Sequence, residues 1–144
     1  LWRTYNENMG LSKQQEDEFS IQLPSGRSLN YGHLQAVPHK GRIQYVAMMN
    51  KHSKKMPVKV YGGLLAENAS QALARDVFCD MLCRIHDAGL KIIFHVHDEV
   101  VLEVPEETAN VDLQRVIEIM STPPDWIPDI PLSAEGSILT KYTK

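Results

Sequence analysis

Lys91-Ile-Ile-Phe-His-Val-His-Asp-Glu-Val-Val-Leu-Glu-Val104 sets three consecutive titratable groups, His97-Asp98-Glu99, between two runs rich in β-forming residues. Each run has the length of a strand, so the segment predicts a β-hairpin with its tip near His97-Asp98. Tight hairpins ordinarily recruit Asn-Gly or Gly-X at the tip for steric reasons, and here an acidic pair stands close by instead. Carboxylates held out on a rigid β support suit a divalent cation bound through oxygen. The plain alternative is a solvated acidic tip, because Asp tolerates turn conformations.

The preceding segment shifts the balance. From Tyr61 to Gly89, apolar residues fall at 65, 69, 72, 73, 78, 81, 82 and 85. That is the period of an amphipathic helix, stopped by Gly89. Glu67, Gln71 and Arg75 are spaced four apart and line one polar stripe.

Tyr-Gly-Gly-Leu-Leu-Ala-Glu-Asn-Ala-Ser-Gln-Ala-Leu-Ala-Arg-Asp (61–76), followed after one helix by His-Val-His-Asp-Glu-Val-Val-Leu-Glu-Val-Pro (95–105), closely resembles the C-terminal palm of family A (DNA polymerase I type) DNA polymerases, particularly phage and prophage members. Leu23-Pro24-Ser25-Gly26-Arg27 and Pro131-Leu132-Ser133-Ala134-Glu135-Gly136 also look like that branch. The resemblance covers Phe19 to Tyr142 and is most specific over 61–105. It implies a connector over 1–18 and a C-terminal palm subdomain over 19–144.

By the same resemblance, Asp98 is the metal-binding palm aspartate, Glu99 the adjacent carboxylate, and His97 a contact to the primer strand near its 3′ end. Gln71 and Arg75, with Glu67 or Asn68, would face primer and template. The better-known bacterial enzymes carry Asn four residues before the Gln, where this chain has Glu67. The implied cofactor is Mg²⁺ in a two-metal site, held through oxygen by Asp98 and Glu99 and completed by a carboxylate outside this chain. A divalent cation also keeps adjacent carboxylates ionised against their mutual repulsion.

The family's second aspartate, on an earlier palm strand, and its fingers helix with an Arg, a Lys and a Tyr-Gly pair are not in this chain. Alone it is therefore expected not to polymerise. The implied partners are a DNA primer-template, a dNTP and a polypeptide carrying the fingers and the first palm motif.

At 144 residues and 43% hydrophobic, the chain suits one domain. Net charge is only −3, but it is unevenly distributed. Between Phe19 and Ala66 there is no Asp or Glu, while Arg27, Lys40, Arg42, Lys51, Lys54, Lys55 and Lys59 are all cationic. This asymmetry points to a basic face near phosphates, with Arg27, Lys54 and Lys55 as candidate DNA contacts. The bland reading is a mobile Lys-rich surface loop.

Cys79, Cys83 and His86 could in principle share a zinc-binding helix face, although no fourth ligand is evident and Cys is commonly a small buried residue. His95 and His97 alternate along a strand and would share a face; a packed His95 is the plainer expectation. No 18-residue apolar run and no signal peptide is present, so the expectation is a cytoplasmic protein without a membrane partner.

The chain thus reads as α+β: an antiparallel sheet containing the 91–104 hairpin, packed against two helices. Strands are expected at Phe19 to Leu23 and Ser28 to Tyr31, with a long loop over 32–60 holding one strand at Ile43 to Met48. A second helix starts at Pro105-Glu106-Glu107, with Val111, Val116, Ile117 and Met120 inward; Trp126 to Pro131 crosses the surface; Ser137 to Tyr142 forms a last strand. Two other functions compete with the polymerase reading. One is a catalytically silent DNA-binding scaffold; the other is a small metal-dependent hydrolase using His95, His97 and Asp98.

Overall fold

The computed structural model describes residues 18–51 and 53–142; the connector expected over 1–18 lies outside them except for Glu18. The described residues divide into two compact units, one from 18–22 with 28–65 and the other from 23–27 with 66–142. The elements are β1 (Phe19–Gln22), β2 (Ser28–Gly32), β3 (Gln35–His39), β4 (Arg42–Lys51), β5 (Lys54–Val60), α1 (Gly62–Asp87), β6 (Lys91–Val96), β7 (Glu99–Glu103) and α2 (Ala109–Ser121). No helix among the described residues is long and apolar enough to cross a membrane.

In the first unit, β1 and β2 pair antiparallel and β3-β4-β5 form a three-stranded antiparallel meander. Tyr31, Ala47 and Val60 are its buried centre, with Phe19, Ile21, Leu29, Leu34, Met49 and Leu65 packed around them. The long loop expected over 32–60 is therefore a sheet. Its Gly, Pro and Lys residues occupy places a sheet accepts. Lys40 and Gly41 join β3 to β4 with φ of 47° and 75°, the double positive φ of a type I′ turn. Pro38 and Pro57 lie on β3 and β5, the two edge strands, where a missing N–H can face away from the ladder. Lysines on β5 oppose further strand pairing.

The second unit is built on α1, which buries Val77, Phe78, Met81 and Ile85. Val77, Phe78 and Met81 gather Leu82, Val100 and Met120 with Trp126, Ile127, Ile130 and Leu132, so the segment expected to cross the surface in fact packs against the core. Ile85, Leu90 and Val116 centre a second cluster with Ile92, Val100 and Leu102.

The end of α1 explains why the hairpin follows so directly. Gly89 has φ +79°, its N–H donates to the His86 carbonyl at 2.9 Å, and the Leu90 N–H donates to the Ile85 carbonyl at 3.3 Å. This is a Schellman stop, completed by contact between Leu90 and Ile85. An added Cβ at Gly89 meets nothing within 4 Å, so Gly89→Ala tests the backbone alone. We expect it to lower stability by about 1 kcal/mol in urea melts; an unchanged midpoint would contradict the assignment.

α2 begins at Ala109 with Thr108 as N-cap, not at Pro105. The Thr108 N–H donates to the Pro105 carbonyl, making a separate turn of the Pro-Glu-Glu stretch. With the start moved, Val111 points outward at 64% exposure, and Ala109, Asp112 and Val116 face inward. Buried Asp112 accepts hydrogen bonds from Thr108 Oγ1 (2.7 Å) and Arg115 Nη1 (3.3 Å). Two guanidiniums join helix ends: Arg84 donates to the Thr122 carbonyl at 2.9 Å and Arg115 to the Ala88 carbonyl at 3.2 Å.

The α+β composition with antiparallel pairing agrees with the sequence reading. In place of one sheet, however, the described residues form three: β1-β2, β3-β4-β5 and β6-β7. Residues 137–142 pair with no strand among the described residues, in place of the expected last strand.

Candidate active site at the β6–β7 hairpin

Val96 pairs with Glu99, leaving His97 and Asp98 as a two-residue loop. His97 has φ +53° and Asp98 is not in the positive-φ region, the sign pattern of a type II′ turn, whose first position usually takes glycine. A non-glycine residue there is strained, and such strain clusters at functional sites. His97, Asp98 and Glu99 are all exposed.

Cross-strand partners share a face. Phe94 opposes Val101 and Val96 opposes Glu99 on one face of the ribbon; His95 opposes Val100 on the other. The second face lies on α1: Val100 enters both core clusters, and the His95 ring meets Phe78 edge-on at 5.6 Å. His95 thus has an aromatic neighbour but stays exposed, so the expectation of a packed histidine holds only for its contact with Phe78. It does not pair with His97, because strand alternation ends at Val96.

The first face carries a residue that the sequence reading missed. Tyr142 packs edge-on against Phe94, ring centroids 5.1 Å apart and planes at 89°. Its hydroxyl hydrogen-bonds to Glu99, and desolvation, the Glu99 charge and that hydrogen bond together raise its pKa above the ordinary tyrosine value. The only sequence signal was an aromatic near the end of a segment expected to be a strand.

Asp98 and Glu99 offer oxygen donors alone, adjacent and open to solvent. That donor set fits a hard cation such as Mg²⁺, which keeps waters and uses one or two carboxylates with substrate phosphates. Among the described residues no three His, Cys, Asp or Glu side chains gather as a metal site. Cys79, Cys83 and His86 therefore form no zinc centre; both cysteines are free and, contrary to the buried expectation, exposed. The hydrolase triad of His95, His97 and Asp98 loses its geometry for the same reason.

On α1, Glu67, Gln71 and Arg75 are exposed in a row, Gln71 Nε2 donating to Glu67 Oε1 at 3.2 Å. Asn68 is half-buried beside them. Lys54 and Lys55 are exposed at the start of β5. Arg27 already has an intramolecular partner. Its Nε lies 2.8 Å from Asp76 Oδ1, its Nη2 donates to the Ala72 carbonyl at 3.1 Å, and Ser25 Oγ donates to the other Asp76 oxygen. These bonds seat the 23–27 turn on α1.

Burial pushes the Asp76 carboxyl up, but the Arg27 and Ser25 hydrogen bonds and the Arg27 charge outweigh it, leaving its pKa below the ordinary value of 3.8. A depressed folded pKa adds stability above the unfolded pKa and loses it as pH falls through the folded value. Asp76→Asn should therefore cost stability near neutrality, the difference shrinking as pH falls through the carboxylate range. Urea melts across that range check it; parallel acid limbs would refute it.

No family model and no solved structure matches the chain. The chain is 36% identical over 134 residues to a DNA polymerase of Bacillus phage SP02, covering 86% of this chain and 19% of that protein. It is 30% identical over 79 residues to a DNA polymerase of Mycobacterium phage D29, covering 51% of this chain and 13% of that protein. The chain thus spans less than a fifth of the length of these curated relatives, and it is related in sequence to phage DNA polymerases.

Proposed function

We propose that this chain is the later part of the palm of a family A DNA polymerase and contributes half of a nucleotidyl-transfer site. The observation that carries this reading is the hairpin that places the consecutive carboxylates Asp98 and Glu99, both exposed, at and beside its loop. With 86% of the chain aligned to the phage SP02 polymerase, that hairpin lies inside the aligned region wherever the alignment begins.

Asp98 and Glu99 would hold Mg²⁺ together with a carboxylate from a polypeptide that also carries the fingers. The chemistry such an ion would supply there is stabilisation of the charge that develops in phosphoryl transfer. The chain's own residues position the reactants. Tyr142 donates to Glu99 and restrains its rotamer. His97, held at the loop apex, contacts the primer strand near its 3′ end. Gln71 and Arg75, with Glu67 and Asn68, follow the primer-template along α1. Lys54 and Lys55 neutralise backbone phosphates. Arg27, its charge matched by Asp76, secures the 23–27 turn beside that row.

The test is primer extension with Mg²⁺ and dNTPs, using the chain with and without a polypeptide supplying the first palm carboxylate and the fingers. Extension that needs both supports the reading. No extension from a stably associated pair favours the silent scaffold.

A further inference from the structure

The β3-β4-β5 sheet has a notch at one end. β4 pairs with β3 from Arg42 onward but with β5 only from Tyr45, whose partner is Val60. Arg42, Ile43 and Gln44 therefore run past the end of β5, and a cleft of about 630 Å³ opens where Tyr61 leaves the sheet. Lys40, Arg42 and Lys59 line it with Tyr45 and Tyr61, and no carboxylate does.

Tyr61 is the distinctive group. It is 55% exposed, large for an aromatic ring beside a buried strand end. Lys59 Nζ stands 6.0 Å from its ring centroid. Gly63 clears its space, since a Cβ there would lie 3.1 Å from Tyr61 Cε2. A π-face and a cation are thus presented within the reach of one nucleotide, with Arg42 and Lys40 available for neighbouring phosphates.

We propose that this notch binds single-stranded DNA, with a base stacked on Tyr61 and flanking phosphates held by Lys59, Arg42 and Lys40. Stacking and phosphate contacts make the site tolerant of sequence. A duplex presents no unstacked base to the ring, which sets the preference for single strands. The site uses none of the hairpin carboxylates and needs no catalysis; only the choice of DNA over RNA rests on the polymerase reading.

Fluorescence anisotropy of a labelled oligo-dT with the 144-residue chain, over a salt series, tests this. Tyr61→Ala is expected to weaken binding by about 5- to 150-fold, the range for one stacked base; Tyr61→Phe should retain affinity. Arg42→Ala and Lys59→Ala should each reduce the salt slope by about 0.7, the value for one phosphate of a single strand. Circular dichroism checks that these surface variants fold. Unchanged affinity in Tyr61→Ala, equal binding of duplex, tighter binding of oligo-U, or equal competition by polyglutamate would each overturn the proposal.

Discussion

Asp98→Ala in the complemented polymerase is expected to lower the extension rate by about a thousandfold or more, over about 4 kcal/mol of transition-state stabilisation. Asp98 is exposed at the hairpin loop, so truncating it opens no cavity and leaves the fold intact. In the proposed role its carboxylate acts where charge develops in the transition state, so the loss should fall on kcat with little change in primer-template affinity. Glu99→Ala should be milder, because in the proposed role Asp98 is the main metal-binding carboxylate and Glu99 the adjacent one. A defect in DNA affinity with normal kcat would instead make the hairpin a binding element.

Ile85→Ala should have the largest effect on stability. Ile85 is fully buried, joins Leu90 and Val116 in the core, and takes part in the stop that turns α1 into β6. Truncating a buried Ile removes its transfer energy and leaves a cavity, costing about 2–5 kcal/mol. Against a typical domain stability of about 5–15 kcal/mol, that is a large fraction. The signal should appear in Trp126 fluorescence, because that ring packs in the same unit. Val111→Ala, on the outer face of α2, is the matched control and should stay within about 0.5 kcal/mol. Equal midpoints for the two variants would contradict the placement of the core.

What the sequence disclosed follows from how local each signal is. α1 and the β6–β7 hairpin were legible because periodicity, the Gly89 stop and the β-rich runs are all contained in contiguous residues. The Asp98-Glu99 pair was legible as a candidate metal site for the same reason. The β3-β4-β5 meander was hidden because Pro38, Pro57 and the lysines read as loop residues until they are known to lie on edge strands. α2 was placed too early because Pro105-Glu106-Glu107 carries a helix-start pattern, while Thr108 and Asp112 fix the real one. The Tyr142 contact with Glu99 joins residues distant in sequence, and no spacing rule finds it. Arg27 read as a free cation because its partner, Asp76, is visible only once the 23–27 turn is seated on α1.

The measurement that bears most directly on the catalytic role of the hairpin is single-turnover extension of a primed template by the complemented protein, comparing wild type with Asp98→Ala at equal bound DNA and saturating Mg²⁺. A rate loss of about a thousandfold with unchanged DNA affinity is the expected result; equal rates would contradict the assignment of Asp98 to the metal site and the polymerase reading with it.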